Sequence, residues 1–212
     1  MSEHHEQLDR AASVMREVRE KCVWTQQITH EALVPYLIEE SHELIDAIET
    51  GDRGELREEL GDLLWQVLFH AEIASRDATA PFDIDDVAGD LADKMVRRHP
   101  HVFAGENAAT PAEVLVHWNA AKAAEKRERT SVLDGVSRGM PALALADKLL
   151  GKAAKVGVEV AATPAAEASI GDRLLALVAE AHAQNIDAEG ALRVRLRELE
   201  AEIRAAEASA KG

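Results

Sequence analysis

Apolar residues recur every three or four positions along most of the chain, which is the spacing of helices that bury one face. The pattern predicts helices over about 6–20, 30–49, 55–76, 84–97, 111–128 and 141–155, and a final helical pair over about 170–208. Turn-forming residues separate these helices, as in TGDRG at 50–54. Since no segment alternates as a strand would, we expect an all-α fold, most simply a four-helix bundle in the first hundred or so residues.

The second and third predicted helices each carry an apolar stripe that is expected to face the core. On the second helix the stripe consists of Leu33, Leu37, Leu44 and Ile48, and on the third it consists of Leu56, Leu60, Leu63, Val67 and Ala71. At about 100° per residue, the members of each stripe lie on one side of their helix. The short turn at 50–54 would let these two helices pack antiparallel.

Acidic residues flank both stripes in pairs that are three positions apart. The pairs are Glu40 with Glu43 and Glu59 with Asp62. Facing each other across a groove, four carboxylates would repel and lose hydration, and a hard divalent cation reverses that penalty. Oxygen ligands alone suit Mg²⁺, with Mn²⁺ as a substitute, better than zinc or iron, and Mg²⁺ commonly holds phosphate-bearing substrates. The alternative, an ordinary solvated acidic face, stays open at this point.

A basic segment, DKMVRRHPHVF, follows at 93–103. Its cations, Lys94, Arg97 and Arg98, could neutralise the phosphates of a nucleotide that a metal holds from the other side. They could equally complement the dipole at the end of the fourth helix. Two tryptophans, Trp24 and Trp118, could stack on a base or belong to the core.

Composition narrows the class of protein. The chain has 212 residues, a formal net charge of −15 at pH 7, 47% hydrophobic residues and a single cysteine. So acidic a protein is a poor partner for nucleic acid, whose phosphates favour basic patches. A polar N-terminus, the absence of a long apolar run and the single cysteine lead us to expect a cytoplasmic protein with no membrane partner.

Several motifs make the sequence recognisable. EESHE at 39–43 and EELGD at 58–62 form the pattern Glu-Glu-x-x-Glu, spacer, Glu-x-x-Asp, and RRHPHVF and a Trp-x₃-Lys segment at 118–122 follow. Together they resemble the MazG family of nucleoside triphosphate pyrophosphohydrolases over roughly residues 8–128. The chain departs from the family in one loop, where Cys-Pro-Trp-Asp is usual and Cys-Val-Trp-Thr stands at 22–25.

The resemblance implies an all-α enzyme that converts a nucleoside triphosphate and water into a nucleoside monophosphate and pyrophosphate. It implies a Mg²⁺ site at Glu40, Glu43, Glu59 and Asp62, with Glu39 orienting or deprotonating the attacking water. It further implies substrate contacts from Trp24, Lys94, Arg97, Arg98, Trp118 and Lys122. Family members dimerise, so a homodimer is expected, and the sequence leaves a tetramer open. The alternative function is a non-catalytic nucleotide sensor or scaffold that retains the fold.

The last third of the chain looks like a shortened second copy of the same unit. GDRLLALVAEA at 171–181 aligns without gaps with GDLLWQVLFHA at 61–71. Ser169 stands where the first copy has Glu59, and Asp172 is the one acid of the ligand pattern that remains. We therefore predict a catalytic domain over 1–130, a connecting helix and linker over 131–169, and a degenerate second unit over 170–212 that binds no catalytic metal. A chance likeness of two leucine-rich helices is the alternative.

Overall fold

The structure, a computed structural model, describes residues 6–125, 129–160 and 168–210, which fold into helices joined by loops. These ranges are 75% helical and contain no strand, which confirms the all-α class. The helices are α1 (Glu6–Lys21), α2 (His30–Thr50), α3 (Arg53–Ala74), α4 (Ile84–Arg98), α5 (Pro100–Phe103), α6 (Pro111–Ala124), α7 (Ala142–Ala153), α8 (Ile170–Ala183) and α9 (Ala188–Ala210). The predicted end of the fifth helix at 128 and most of the predicted linker after Val160 lie outside the described residues. None of the described helices is long and apolar enough to cross a bilayer.

The chain divides into two compact units, Met1–Glu125 and Lys126–Gly212. The core of the first unit forms where α1, α2 and α3 meet. Its buried members are Met15, Ile28, Leu33, Leu68 and Phe69. A short 3₁₀ turn at Thr25–Gln27 connects α1 to α2, and Thr29 then caps α2 by accepting a hydrogen bond from the backbone N–H of Ala32.

A two-residue link joins α2 to α3 and turns the chain back on itself. Gly51 ends α2 in the left-handed conformation, with φ of 79°. Asp52 then begins α3, because its side chain accepts hydrogen bonds from the backbone N–H groups of Gly54 at 2.7 Å and Glu55 at 3.1 Å. The helices run antiparallel, so that the Nδ1 atoms of His30 and His70 lie 2.7 Å apart near one end of the pair.

The structure corrects the predicted stripes on these two helices. Leu33 and Ala71 are buried as predicted, but Ile48, Leu60 and Val67 are 58%, 52% and 41% exposed. The buried residues of α3 instead lie within its last nine positions, and they are Gln66, Leu68, Phe69, Ala71 and Ala74. Apolar residues occupy more than one side of α3, so periodicity could not decide which side packs inward.

We expect Gly51→Ala to lower the free energy of unfolding by about 1 kcal/mol, because any side chain is strained at this positive φ. Gly89→Ala is the matched control. Gly89 lies inside α4 with open space where a Cβ would stand, so alanine should stabilise the helix by roughly 0.5–1 kcal/mol. Urea unfolding of both variants measures the two changes, and equal effects at the two sites would contradict the role given to Gly51.

The second unit contains α7, α8 and α9, with α7 packed on both of the others. Its described buried residues include Leu150, Ala176 and Val178. Asp172 takes part in a capping box at the start of α8. Its carboxylate accepts one hydrogen bond from the backbone N–H of Ser169, at 3.1 Å, and another from the Ser169 hydroxyl, at 2.7 Å. The three-part division of the chain and the absence of a metal from this unit stay predictions.

Candidate metal and nucleotide site

Three of the predicted metal ligands converge between α2 and α3. Glu40 and Glu43 lie three residues apart on α2 and therefore project from neighbouring positions on one face, while Glu59 approaches from α3. One carboxylate oxygen from each lies within 4.8 Å of the others. The antiparallel turn thus brings together side chains that are up to 19 positions apart in the sequence.

The other two predicted acids lie beside this cluster. The charge of Asp62 raises the pKa of both Glu40 and Glu59, and Glu39 adds a smaller increase at Glu40. Both side chains are exposed. Both residues therefore act on the cluster electrostatically, but neither belongs to the group of described carboxylates whose oxygens lie within 4.8 Å of one another.

The electrostatics of the cluster favour a cation. Loss of hydration is the main cause of the raised pKa of Glu40 and of Glu59, and repulsion from the neighbouring carboxylates adds to it. One oxygen of Glu59, Oε2, is buried without a hydrogen-bond partner. An all-oxygen set with a partnerless buried oxygen fits a hard divalent ion such as Mg²⁺ or Mn²⁺.

Gln66 is a member of the site that the sequence analysis missed. It is 5% exposed, and its side chain hydrogen-bonds the carboxylate of Glu40, which holds the pKa of that group down against the other influences. The sequence does hint at this role, because Gln66 interrupts the apolar run LLWQVLF and a buried amide in such a run needs a polar partner.

The basic residues of α4 are only partly free. Arg98 is 13% exposed and binds Glu125 through Nη2 at 2.5 Å and Nε at 3.2 Å, and its guanidinium lies 4.9 Å from the ring centre of Trp118. These contacts lower the pKa of Glu125 and join the end of α4 to α6. Arg97 is more open, with a 58% exposed side chain and a single 3.6 Å contact to Glu125.

The remaining predicted substrate residues are Trp24, in the loop before α2, and Trp118 and Lys122, on α6. Trp24 is 53% exposed and meets Tyr36 edge to face at 6.2 Å between ring centres. The ring centres of Trp118 and His99 lie 5.4 Å apart. Lys122 follows Trp118 by one turn of α6. Within the described part of the chain, no hydrogen bond or ion pair joins Lys94, Arg97, Arg98 or Lys122 to the carboxylates of the cluster.

Thr25 occupies the loop position where the resembled family usually has an aspartate. Its hydroxyl donates to the carbonyl oxygens of Val18 at 2.8 Å and Cys22 at 3.0 Å. The residue is buried, so in this chain the position holds the loop against α1 and presents no carboxylate.

Comparison with known proteins gives these features a context. Residues 28–103, which include the four predicted ligands and the basic residues of α4, match the family model of the MazG nucleotide pyrophosphohydrolase domain. The chain belongs to the MazG family. The resemblance drawn from the motifs is therefore confirmed, as is its assignment to a family of pyrophosphohydrolase enzymes.

Three bacterial proteins are similar to this MazG chain over most of its length. It is 42% identical over 206 residues to the nucleoside triphosphate pyrophosphohydrolase of Mycobacterium tuberculosis, covering 97% of this chain and 60% of that protein. It is 39% identical over 158 residues to the Escherichia coli protein of the same name, covering 72% and 59%. An uncharacterized 26.1 kDa protein of Streptomyces cacaoi is 53% identical over 194 residues, covering 92% and 80%.

The MazG chain spans 60% or less of the two relatives named as pyrophosphohydrolases. A solved structure, that of a MazG-related protein from Thermotoga maritima, is 26% identical and covers 54% of this chain and 97% of its own, with a TM-score of 0.47.

Proposed function

We propose that this protein hydrolyses nucleoside triphosphates to nucleoside monophosphates and pyrophosphate in the cytoplasm, with Mg²⁺ as the preferred cation. The convergence of Glu40, Glu43 and Glu59 within 4.8 Å is the observation that carries the proposal. Membership of the MazG family supports the same reaction class. The two relatives named as nucleoside triphosphate pyrophosphohydrolases are longer than this chain, which spans 60% or less of each.

Glu40, Glu43, Glu59 and Asp62 would hold the cation. When bound, such an ion neutralises phosphate and carboxylate charge and makes a coordinated water more acidic. Glu39, which is exposed and directly precedes Glu40, would orient the attacking water and take its proton. The water oxygen then bonds to the α-phosphorus, and the bond from that phosphorus to the bridging oxygen breaks to release pyrophosphate.

The basic and aromatic residues would position the nucleotide. Lys94 and Arg97 are the better candidates for phosphate contacts, because Arg98 already binds Glu125 and stacks on Trp118. Trp24, with half of its surface exposed, and Trp118 are candidates for stacking on the base, and Lys122 for a further phosphate contact. We also propose a homodimer, in which exposed apolar residues such as Leu60 and Val67 would find partners.

A second candidate function is nucleotide sensing or scaffolding without turnover. The buried hydroxyl of Thr25 favours it, because the family carboxylate at this loop position is replaced by a group that hydrogen-bonds the backbone. A sensor would bind nucleotide in a metal-dependent way and release no product.

Product identification separates these functions. The full chain is incubated with Mg²⁺ and each of the eight common ribonucleoside and deoxyribonucleoside triphosphates, and the products are resolved by ion-exchange chromatography. Monophosphate with pyrophosphate is the expected result and would also rank the substrates. Diphosphate with phosphate would contradict the proposed attack at the α-phosphorus, and tight binding without any product would favour the sensor.

A further inference from the structure

A cavity elsewhere in the first unit has a different chemical character from the acidic cluster. It encloses about 440 Å³ between the end of α1, the first turn of α2, the end of α3 and the following loop. Its polar lining includes Arg19, His30 and Arg76. His30 precedes Glu40 by ten positions, which is about 15 Å along α2, so the cavity lies toward the other end of the helix pair from the carboxylates.

Arg19 is a buried charge on the wall of this cavity. The residue is only 8% exposed, and its Nη1 donates to the carbonyl oxygen of Ile28 at 3.1 Å. Its guanidinium also lies 5.9 Å from the ring centre of Phe69. Among the described residues no carboxylate lies within ion-pair distance of it. Buried charges are normally paired, so this guanidinium has unused capacity to bind an anion.

Arg76 adds a second positive charge close to the first. Burial lowers the pKa of Arg19, and the charge of Arg76 lowers it further. The carboxylate of Glu72 is the near counter-charge, but it binds Arg76 at 2.7 Å and also contacts Arg16 at 3.9 Å. Among the described residues, Arg16 and Arg76 thus share one carboxylate, and Arg19 lies near that carboxylate without an ion pair.

The rest of the lining favours a ligand with an organic body. Asp77 accepts hydrogen bonds from the backbone N–H groups of Thr79 and Ala80 and from the Thr79 hydroxyl, which lower its pKa to about 2. It is therefore ionised and attracts hydroxyl or amino donors. Phe82, 47% exposed, offers an apolar surface nearby. The volume lies in the range of small-molecule sites, roughly 300–1,000 Å³, and exceeds what a free phosphate fills.

We propose that this cavity binds a small organic phosphomonoester that carries hydroxyl or amino groups, with its phosphate on Arg19 and Arg76. A phosphomonoester is close to a dianion at neutral pH and can neutralise both guanidinium groups, which match phosphate oxygens in pairs. Asp77 would receive the donors of the ligand. The site needs neither a divalent cation nor turnover, so it is independent of the proposed hydrolysis.

Calorimetric titration with ribose 5-phosphate in excess EDTA tests the proposal. We expect saturable binding at one site per chain and much weaker binding of ribose or of inorganic phosphate. Arg76→Gln should weaken binding about tenfold or more, since hydrogen bonds to charged groups are worth roughly that factor. Arg16→Gln is the matched control, because Arg16 shares Glu72 but does not line the cavity, and its affinity should stay within about twofold of the wild type.

Further variants keep the test decisive. Arg19→Lys keeps the charge but lacks the paired donors and should also lose about tenfold, with its melting temperature recorded to show that it folds. Glu43→Gln should bind ribose 5-phosphate as the wild type does. Absence of saturable binding in EDTA, equal losses in Arg16→Gln and Arg76→Gln, or a loss confined to Glu43→Gln would each overturn the assignment.

Discussion

Glu59→Gln is expected to lower kcat for nucleoside triphosphate hydrolysis by at least about 100-fold. Replacing a residue that only hydrogen-bonds to a metal ligand lowers metal affinity or activity by about 10–100-fold. Glu59 is proposed as a ligand itself, so its loss should have at least as large an effect. The amide keeps the shape of the side chain but removes the charge that the cation needs. Glu59 also carries a buried oxygen, Oε2, that has no hydrogen-bond partner in the protein and is therefore available to a cation.

Glu58→Gln is the matched control for this experiment. Glu58 is the preceding residue on α3 and is exposed. Its replacement by glutamine removes the same charge, from a side chain that projects in a different direction. We expect its kcat to stay within about twofold of the wild type. Pyrophosphate release at saturating Mg²⁺ measures both variants. Equal activity of the two would show that the carboxylate of Glu59 is not part of the reaction.

Metal binding should raise the melting temperature of the protein, and Glu59→Gln should abolish the rise. At a free Mg²⁺ or Mn²⁺ concentration about 100 times Kd, a ligand of the folded state adds about 2.7 kcal/mol. For a protein of this length that corresponds to a rise of roughly 5–10 °C. Differential scanning calorimetry with and without the ion gives the value, and Glu58→Gln should show the same rise as the wild type.

The same carboxylates give a defined pH dependence without metal. Because the pKa values of Glu40 and Glu59 are raised in the folded protein, the folded state binds more protons than the unfolded state in that range. Stability in EDTA should therefore fall as the pH rises from the ordinary glutamate range toward neutrality. Glu59→Gln should melt above the wild type at pH 7 in EDTA, and that advantage should shrink as the pH falls. A wild type that melts above the variant at pH 7 in EDTA would contradict the repulsion described here.

The sequence predicted the local part of the site well. The spacing of Glu40 and Glu43, the turn at 50–54 and the position of Glu59 depend on helical geometry within a short segment, and the structure brings those three carboxylates together. It could not predict which side of α3 is buried, since Leu60 and Val67 fit a core stripe as well as Leu68 and Phe69 do. Tertiary packing decides between such faces.

Contacts between distant segments were also beyond the sequence. Arg98 and Glu125 are 27 positions apart, and no motif around either residue indicates that they form an ion pair. Because of that ion pair, Arg98 is less available to bind a phosphate. The cavity around Arg19 and Arg76 likewise joins residues 57 positions apart. Periodicity identifies helices, but it carries no information about which helix ends meet.

The α2–α3 turn has a consequence for the rate at which the protein folds. All four proposed ligands lie between Glu40 and Asp62, so closing the site requires only a short loop and little loss of chain entropy. Contacts between residues this close in the sequence favour fast folding. Repulsion among the carboxylates opposes closure of the site, and a divalent ion relieves it. If a divalent ion binds the cluster, we expect it to accelerate refolding, a kinetic effect separate from any part that it takes in hydrolysis.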